Sequence, residues 1–302
     1  MGSSETPGVR RGYVYVVLAA VLWGTSGSAA KFLFMNGMSP AQLVQLRTTI
    51  GSLVLALWLA SRHPAWLRVA PGDIWKMALL GVSIALTQFT YYFAISKIQV
   101  AAAILLQYQA PVFVALFAVV FARERLTPLI ATAISGAVIG CYLLVGAYKL
   151  DILNMNREGI AGGLASALCF AWYSVSSSYA MRKYTPWAVV FFSFLGAAVI
   201  WNIFHPPLEA FSQPANIQEW WWVFFISIFG TVFAFWFYTA GIHLIGPTRA
   251  SITATLEPIT AGVISYLFLH EALEALQIGG ALMVIAAVVS LQIGRPSSSR
   301  TD

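Results

Sequence analysis

Glu257 is the one acidic side chain set deep in an apolar stretch of this sequence, roughly ten positions into the run Pro247–Phe268. An ionisable group so placed is a functional hypothesis by default. It can carry a proton, meet a substrate ammonium, or hydrogen-bond a neighbouring helix. Pro258 follows it, and a proline inside a helix frees a carbonyl and disturbs the backbone, so a structural role stands beside the functional one. Arg47 is the deep basic counterpart, about seven residues into Pro40–Ser61. That depth is within snorkelling reach of a membrane surface, and a structural role is expected of it.

Polar and aromatic residues are interleaved in the same kind of sequence. Gln88, Tyr91 and Tyr92 fall in one apolar run, Gln107 and Tyr108 in the next, then Trp172 and Tyr173, Trp236 and Tyr238, and finally Ser251. An amide without a partner costs several kcal/mol in hydrocarbon, about 4–8, so Gln88 and Gln107 must face water, a solute or another helix. Trp23-Gly24-Thr25-Ser26-Gly27-Ser28 offers small and hydroxyl residues that admit a close neighbour or expose backbone to substrate. A serine nucleophile at Ser26 would need a histidine base at its own depth. His243 lies near the opposite end of its run, and His63, His205 and His270 fall near loops, so hydrolysis is not expected. No phosphate-binding GxxxxGK[ST], HExxH or paired-cysteine pattern occurs, so ATP-driven pumping, a metal centre and a cofactor are not expected. Cys141 and Cys169 read as small core residues without a disulfide.

The elements that must position these residues follow from composition. Of 302 residues, 9% are charged and 59% hydrophobic, with mean hydropathy +0.78. A soluble domain carries about 25% charge, so lipid must cover this chain. Stretches free of Asp, Glu, Lys and Arg run over Gly12–Ala30, Met77–Ser96, Ile98–Ala122, Leu126–Tyr148, Gly159–Met181, Tyr184–Leu208, Trp220–Thr248 and Ala275–Gly294. Each approaches or exceeds the ~20 residues of a membrane helix. With the two singly charged runs around Arg47 and Glu257, the expected architecture is all-α with ten transmembrane helices. Numbering from a cytoplasmic N-terminus puts twelve of the 17 basic residues on the inner side and four on the outer, with Arg47 set aside. Both termini are therefore expected in the cytoplasm. The net charge of +6 is a topology signal and implies no nucleic-acid partner.

The chain also resembles itself at half-length. Pro111 and Glu124 match Pro258 and Glu271 at an offset of 147, as do Tyr91 with Tyr238, Ile95 with Ile242, Ala103 with Ala250, Phe121 with Phe268 and Leu126 with Leu273. Five helices per half force the second copy to enter from the other side, so two inverted five-helix units are expected, 11–149 and 158–293. Pro111 and Pro258 then read as hinge residues at equivalent positions, and Glu124 and Glu271 as caps.

Trp23-Gly24-Thr25-Ser26, Gln109-Ala110-Pro111-Val112 with Arg123-Glu124-Arg125-Leu126, and Leu256-Glu257-Pro258-Ile259 with Leu269-His270-Glu271-Ala272-Leu273 resemble the drug/metabolite transporter superfamily. The match is to its ten-helix EamA type over about residues 12–293, and within it to bacterial amino-acid exporters, the aromatic group included. Many relatives carry Leu-Gly-Glu where this chain has Ala122-Arg123-Glu124 and Leu269-His270-Glu271. The resemblance implies a central cavity walled by the first, third, fourth, sixth, eighth and ninth spans, with the fifth and tenth packed peripherally. Gly136, Gly140, Gly279 and Gly280 suit that packing. It implies a non-enzymatic exporter of amino acids or other small amphipathic solutes in a bacterial inner membrane, monomeric or weakly dimeric. A lipophilic-amine exporter and a non-transporting membrane sensor are the alternatives.

Overall fold

The computed structural model describes residues 7–122, 126–150, 155–269 and 274–293. Glu124 and Glu271 lie outside them. The described residues form helices α1 (Pro7–Met35), α2 (Pro40–Arg62), α3 (Ile74–Lys97), α4 (Val100–Gln107), α5 (Ala110–Ala122), α6 (Pro128–Leu144), α7 (Arg157–Ala180), α8 (Pro186–Phe204), α9 (Pro207–Phe211), α10 (Ile217–Ser227), α11 (Ala234–Ile245), α12 (Pro247–Ala254), α13 (Glu257–Leu269) and α14 (Ala275–Ile293). Among them no strand occurs. Eight helical segments are long and apolar enough to cross a membrane, and α6 is a shorter apolar ninth. The expected span Pro247–Phe268 is divided between α12 and α13. Leu57, Ile203 and Leu282 are among many large apolar side chains left exposed on the outside, as a lipid-facing surface requires.

Helix starts are written in the sequence. Ser39-Pro40, Thr127-Pro128 and Thr185-Pro186 each place a hydroxyl cap before a proline whose missing N–H is no loss in the first turn. Ser39 Oγ accepts from the Gln42 amide at 3.2 Å while the Ser39 amide donates to Gln42 Oε1 at 2.9 Å, a reciprocal cap. Gly246, at φ +81°, makes the turn between α11 and α12.

Small residues set the helix crossings. A Cβ on Gly81 of α3 would stand 2.6 Å from the Gly196 Cα of α8, and one on Gly280 of α14 would stand 2.5 Å from the Gly140 carbonyl oxygen of α6. The α6–α14 pair therefore packs through the glycines singled out in sequence, Gly279 excepted, which faces open space. Cys141 is buried and free.

Polar clusters close the ends of the bundle. At one end Asp73 takes Lys183 Nζ at 2.6 Å, Lys76 Nζ at 2.7 Å and the Tyr184 hydroxyl at 2.8 Å, and Asp73 raises the Lys183 pKa. Arg249 donates to the Tyr13 hydroxyl at 2.9 Å and to the Leu291 carbonyl at 2.8 Å, tying α12, α1 and α14. Elsewhere Glu274 pairs with Lys149 and accepts from the Tyr148 hydroxyl at 2.7 Å. Those two partners hold its carboxyl below the usual range.

Candidate functional site

At the expected kinks beside Pro111 and Pro258 the regular α-helix is interrupted by a two-residue turn. α4 stops at Gln107 and α5 starts at Ala110; α12 stops at Ala254 and α13 starts at Glu257. The last residues before each break take matching turns. The Gln109 amide donates to the Leu106 carbonyl at 3.1 Å and the Leu256 amide to the Thr253 carbonyl at 3.2 Å, the same bond displaced by 147 positions. The cause is local. Proline has no N–H for the carbonyl four residues back, and its ring crowds that turn. Gln109 partly replaces the missing order by donating Nε2 to the Leu105 carbonyl at 3.2 Å.

The breaks lie against one another, with α5 packed on α12. Tyr108, the turn residue of the first, faces the Glu257 carboxylate that opens the second. Arg47 of α2, Tyr91 of α3 and Cys141 of α6 lie within electrostatic range of Glu257, and Tyr92 within range of Arg47. Groups from five segments approach one another in this way only inside the bundle. Yet Arg47, Tyr91, Tyr92, Tyr108 and Glu257 are all merely half-buried, so their remaining exposure is to interior space.

Arg47 departs from its expected position. It does not snorkel: its Nε is buried and has no hydrogen-bond partner. No ion pair joins it to Glu257 among the described residues. Its seven-residue depth fitted either outcome; the rotational phase of α2, which a lone arginine does not reveal, decides it. The sequence also held no sign of the π-helical segment Ile228–Phe233 between α10 and α11. There Thr231 Oγ1 donates to the Ile226 carbonyl at 2.9 Å, and Gly230 admits Ser26 so closely that a Cβ would stand 2.0 Å from Ser26 Oγ.

The other expected site residues divide into groups. Tyr173 and Tyr238 are completely buried. Tyr173 meets the Thr239 hydroxyl at 3.3 Å and Tyr238 meets that of Ser174 at 2.8 Å, joining α7 to α11. Trp23 packs on Tyr238 and Phe235, at 5.2 and 5.1 Å between ring centroids. Gln107 donates Nε2 to Ser166 Oγ at 3.2 Å, and Ser166 donates to the Thr87 carbonyl at 2.9 Å, linking α4, α7 and α3. Gln88 is half-buried on α3. Ser251 is buried and donates to the Thr248 carbonyl at 2.9 Å within its own helix. Trp236 stacks on Trp187 at 4.6 Å with Nε1 unpartnered. Trp172, 39% exposed, stands edge-on to Phe117 and Phe121. Pro111 and Pro258 are buried at the second position of α5 and α13. In this conformation Tyr91, Tyr92, Tyr108 and Glu257 are the expected residues that gather at the helix interruptions, while Trp23 and Tyr238 form a separate aromatic contact. Among the described residues no cluster of metal-ligating side chains occurs.

Known proteins agree with a membrane carrier. An uncharacterized inner membrane transporter, YicL of Salmonella typhimurium, is 27% identical, with 94% of this chain and 96% of that one covered. The pseudopaline exporter CntI of Pseudomonas aeruginosa is 25% identical (94% and 96% covered). The threonine/homoserine exporter RhtA of Escherichia coli is 24% identical (95% and 91%). A crystal structure superposes with a TM-score of 0.79 at 22% identity, over 92% of this chain and 95% of that one, which speaks to the fold alone. The model of the EamA-like transporter family matches twice, over residues 10–146 and 157–292. The chain belongs to the EamA-like transporter family.

Proposed function

We propose that this protein is an alternating-access secondary transporter that exports small amphipathic solutes, foremost amino acids including aromatic ones, across the inner membrane. In this reading ten spans form two inverted halves, 11–149 and 158–293, with both termini cytoplasmic. The observation that carries it is the pair of helix breaks 147 positions apart, brought face to face with Tyr108 at one and Glu257 at the other. Discontinuous helices at mid-depth supply substrate sites in inverted-repeat carriers because they free backbone groups where only protein or solute can meet them. Aromatic rings and one carboxylate suit a solute with an apolar body and an amine. RhtA supports an amino acid as that solute. A lipophilic amine fits less well, because Arg47 would set a fixed positive charge beside the cargo's own.

The test is efflux and counterflow of labelled amino acids and amines from proteoliposomes, with and without a pH gradient. Saturable flux of amino acids is expected. Absence of flux for every amino acid and amine tried would overturn the reading. Flux indifferent to the gradient would remove proton coupling and leave facilitated diffusion or exchange.

A further inference from the structure

The Arg47 Nε that is buried without an acceptor is the feature that transport in general does not explain. An arginine is always charged and offers five donors in a planar fork. Leaving such a charge buried and unmatched costs several kcal/mol, and Arg47 Nε is buried without an acceptor. A balancing carboxylate, Glu257, is within electrostatic range, but the two do not close into an ion pair among the described residues. The charges belong to α2 and to the start of α13. Tyrosines 91, 92 and 108 stand around them, half-exposed to the same interior.

From this arrangement we infer that Arg47 and Glu257 are the two poles of a zwitterion clamp: the guanidinium receives the α-carboxylate of an amino acid, and the Glu257 carboxylate receives its α-ammonium. The inference rests on the amino-acid reading given above and specifies the site that reading leaves open. Both groups of an α-amino acid sit on one carbon, so one solute can satisfy both poles at once, and the tyrosine rings flank its side chain. A solute with only one of the two charges leaves the other pole unmatched. Charge-assisted hydrogen bonds contribute about 1.5–3 kcal/mol, which at 1.4 kcal/mol per decade is roughly a 10- to 150-fold preference.

The experiment uses the full chain in proteoliposomes with three probes: phenylalanine, phenethylamine, which lacks the carboxylate, and 3-phenylpropionate, which lacks the ammonium. The wild-type protein is expected to transport phenylalanine with a KM at least tenfold below the apparent inhibition constant of either analogue. Arg47→Gln should raise the phenylalanine KM at least tenfold and narrow the gap to phenethylamine. Glu257→Gln should do the same and narrow the gap to 3-phenylpropionate. Arg47→Lys, which keeps charge but loses the fork, should fall between. Two monodisperse Gln variants with phenylalanine KM within twofold of wild type and an unchanged ranking of analogues would overturn the clamp while transport stands. Should the Gln variants not fold, wild-type protein that accepts phenethylamine as readily as phenylalanine overturns it alone. No flux of any amino acid by wild-type protein would remove the transport reading and the clamp with it.

Discussion

Gly24→Ala tests how the site is held, because it adds one methyl group where α1 crosses the start of α13. The new Cβ would stand 2.8 Å from the Glu257 carbonyl oxygen, 2.8 Å from Thr260 Cβ and 2.9 Å from the Ala261 nitrogen. Two of the three atoms are backbone, so no flexible side-chain end can turn away. Restoring ordinary contact, about 3.5 Å or more between carbons, needs the helices to part by roughly 0.7 Å. Overpacking of this kind costs about 1–3 kcal/mol, against which alanine's better helix propensity returns up to about 1 kcal/mol. Gly27→Ala is the internal control: the same substitution one turn along α1, with nothing within 4 Å of its Cβ, should be neutral or stabilising by up to about 1 kcal/mol. The two variants should therefore differ by up to about 3 kcal/mol, read as a gap of several degrees in thermal unfolding of detergent-solubilised protein. Because the crowded oxygen belongs to Glu257 itself, Gly24→Ala should also slow transport, with Gly27→Ala near wild type. Equal unfolding temperatures and equal transport in the two variants would refute the close α1–α13 crossing.

Three further outcomes are expected. Gly230→Ala should destabilise strongly, since its Cβ would meet Ser26 Oγ at 2.0 Å and Cβ at 2.4 Å; adding Ser26→Gly should restore most of the loss, as a double-mutant cycle would show, whereas Ser26→Ala, which keeps the Cβ, should not. Glu274→Gln should loosen the tie to Lys149 and Tyr148. Since the native carboxyl titrates lower than in the unfolded chain, the wild-type advantage in thermal unfolding should be full above the ordinary glutamate pKa of about 4.3 and be lost as pH falls below it through the lowered folded value; an advantage that grows with acidity would reverse the assignment. Pro111→Ala and Pro258→Ala should each slow transport more than they lower the yield of folded protein, and normal rates in both would remove these residues as pivots.

In the proposed transport cycle the breaks matter more than any one side chain. A continuous helix buries every backbone bond and offers a solute only side chains. At each break here, the carbonyl four residues before a proline, Gln107 and Ala254, loses its helical donor. In hydrocarbon that loss is tolerated only where protein or water replaces the donor. The same discontinuity lets α4 and α5, or α12 and α13, change their mutual angle without tearing a continuous hydrogen-bond ladder. Binding and movement can thus share one location, with Tyr108 and Glu257 as reporters of whether it is filled.

How far the sequence revealed this depended on the range of the interaction. The long apolar helices were readable, because charge-free runs are local. The break sites were readable to within two or three residues, because proline acts on its immediate predecessors. Glu257 stands out in the sequence as a deep carboxylate and Tyr91, Tyr92 and Tyr108 as aromatic residues inside apolar runs, and these are residues that do meet. It could not separate them from Tyr173 and Tyr238, equally polar, whose partners Thr239 and Ser174 are on facing helices and invisible to a local pattern. Arg47 shows the limit most sharply. Its depth in α2 is sequence information, but whether it reaches a surface or Glu257, 210 positions away, turns on the direction one helix face points. A rotation of α2 by about 100°, one residue's worth of a 3.6-residue turn, would take its guanidinium off that line. The approach of a deep arginine to within electrostatic range of a deep glutamate is therefore a property of the packed bundle, and substitutions that rotate α2 should abolish it as surely as Arg47→Gln.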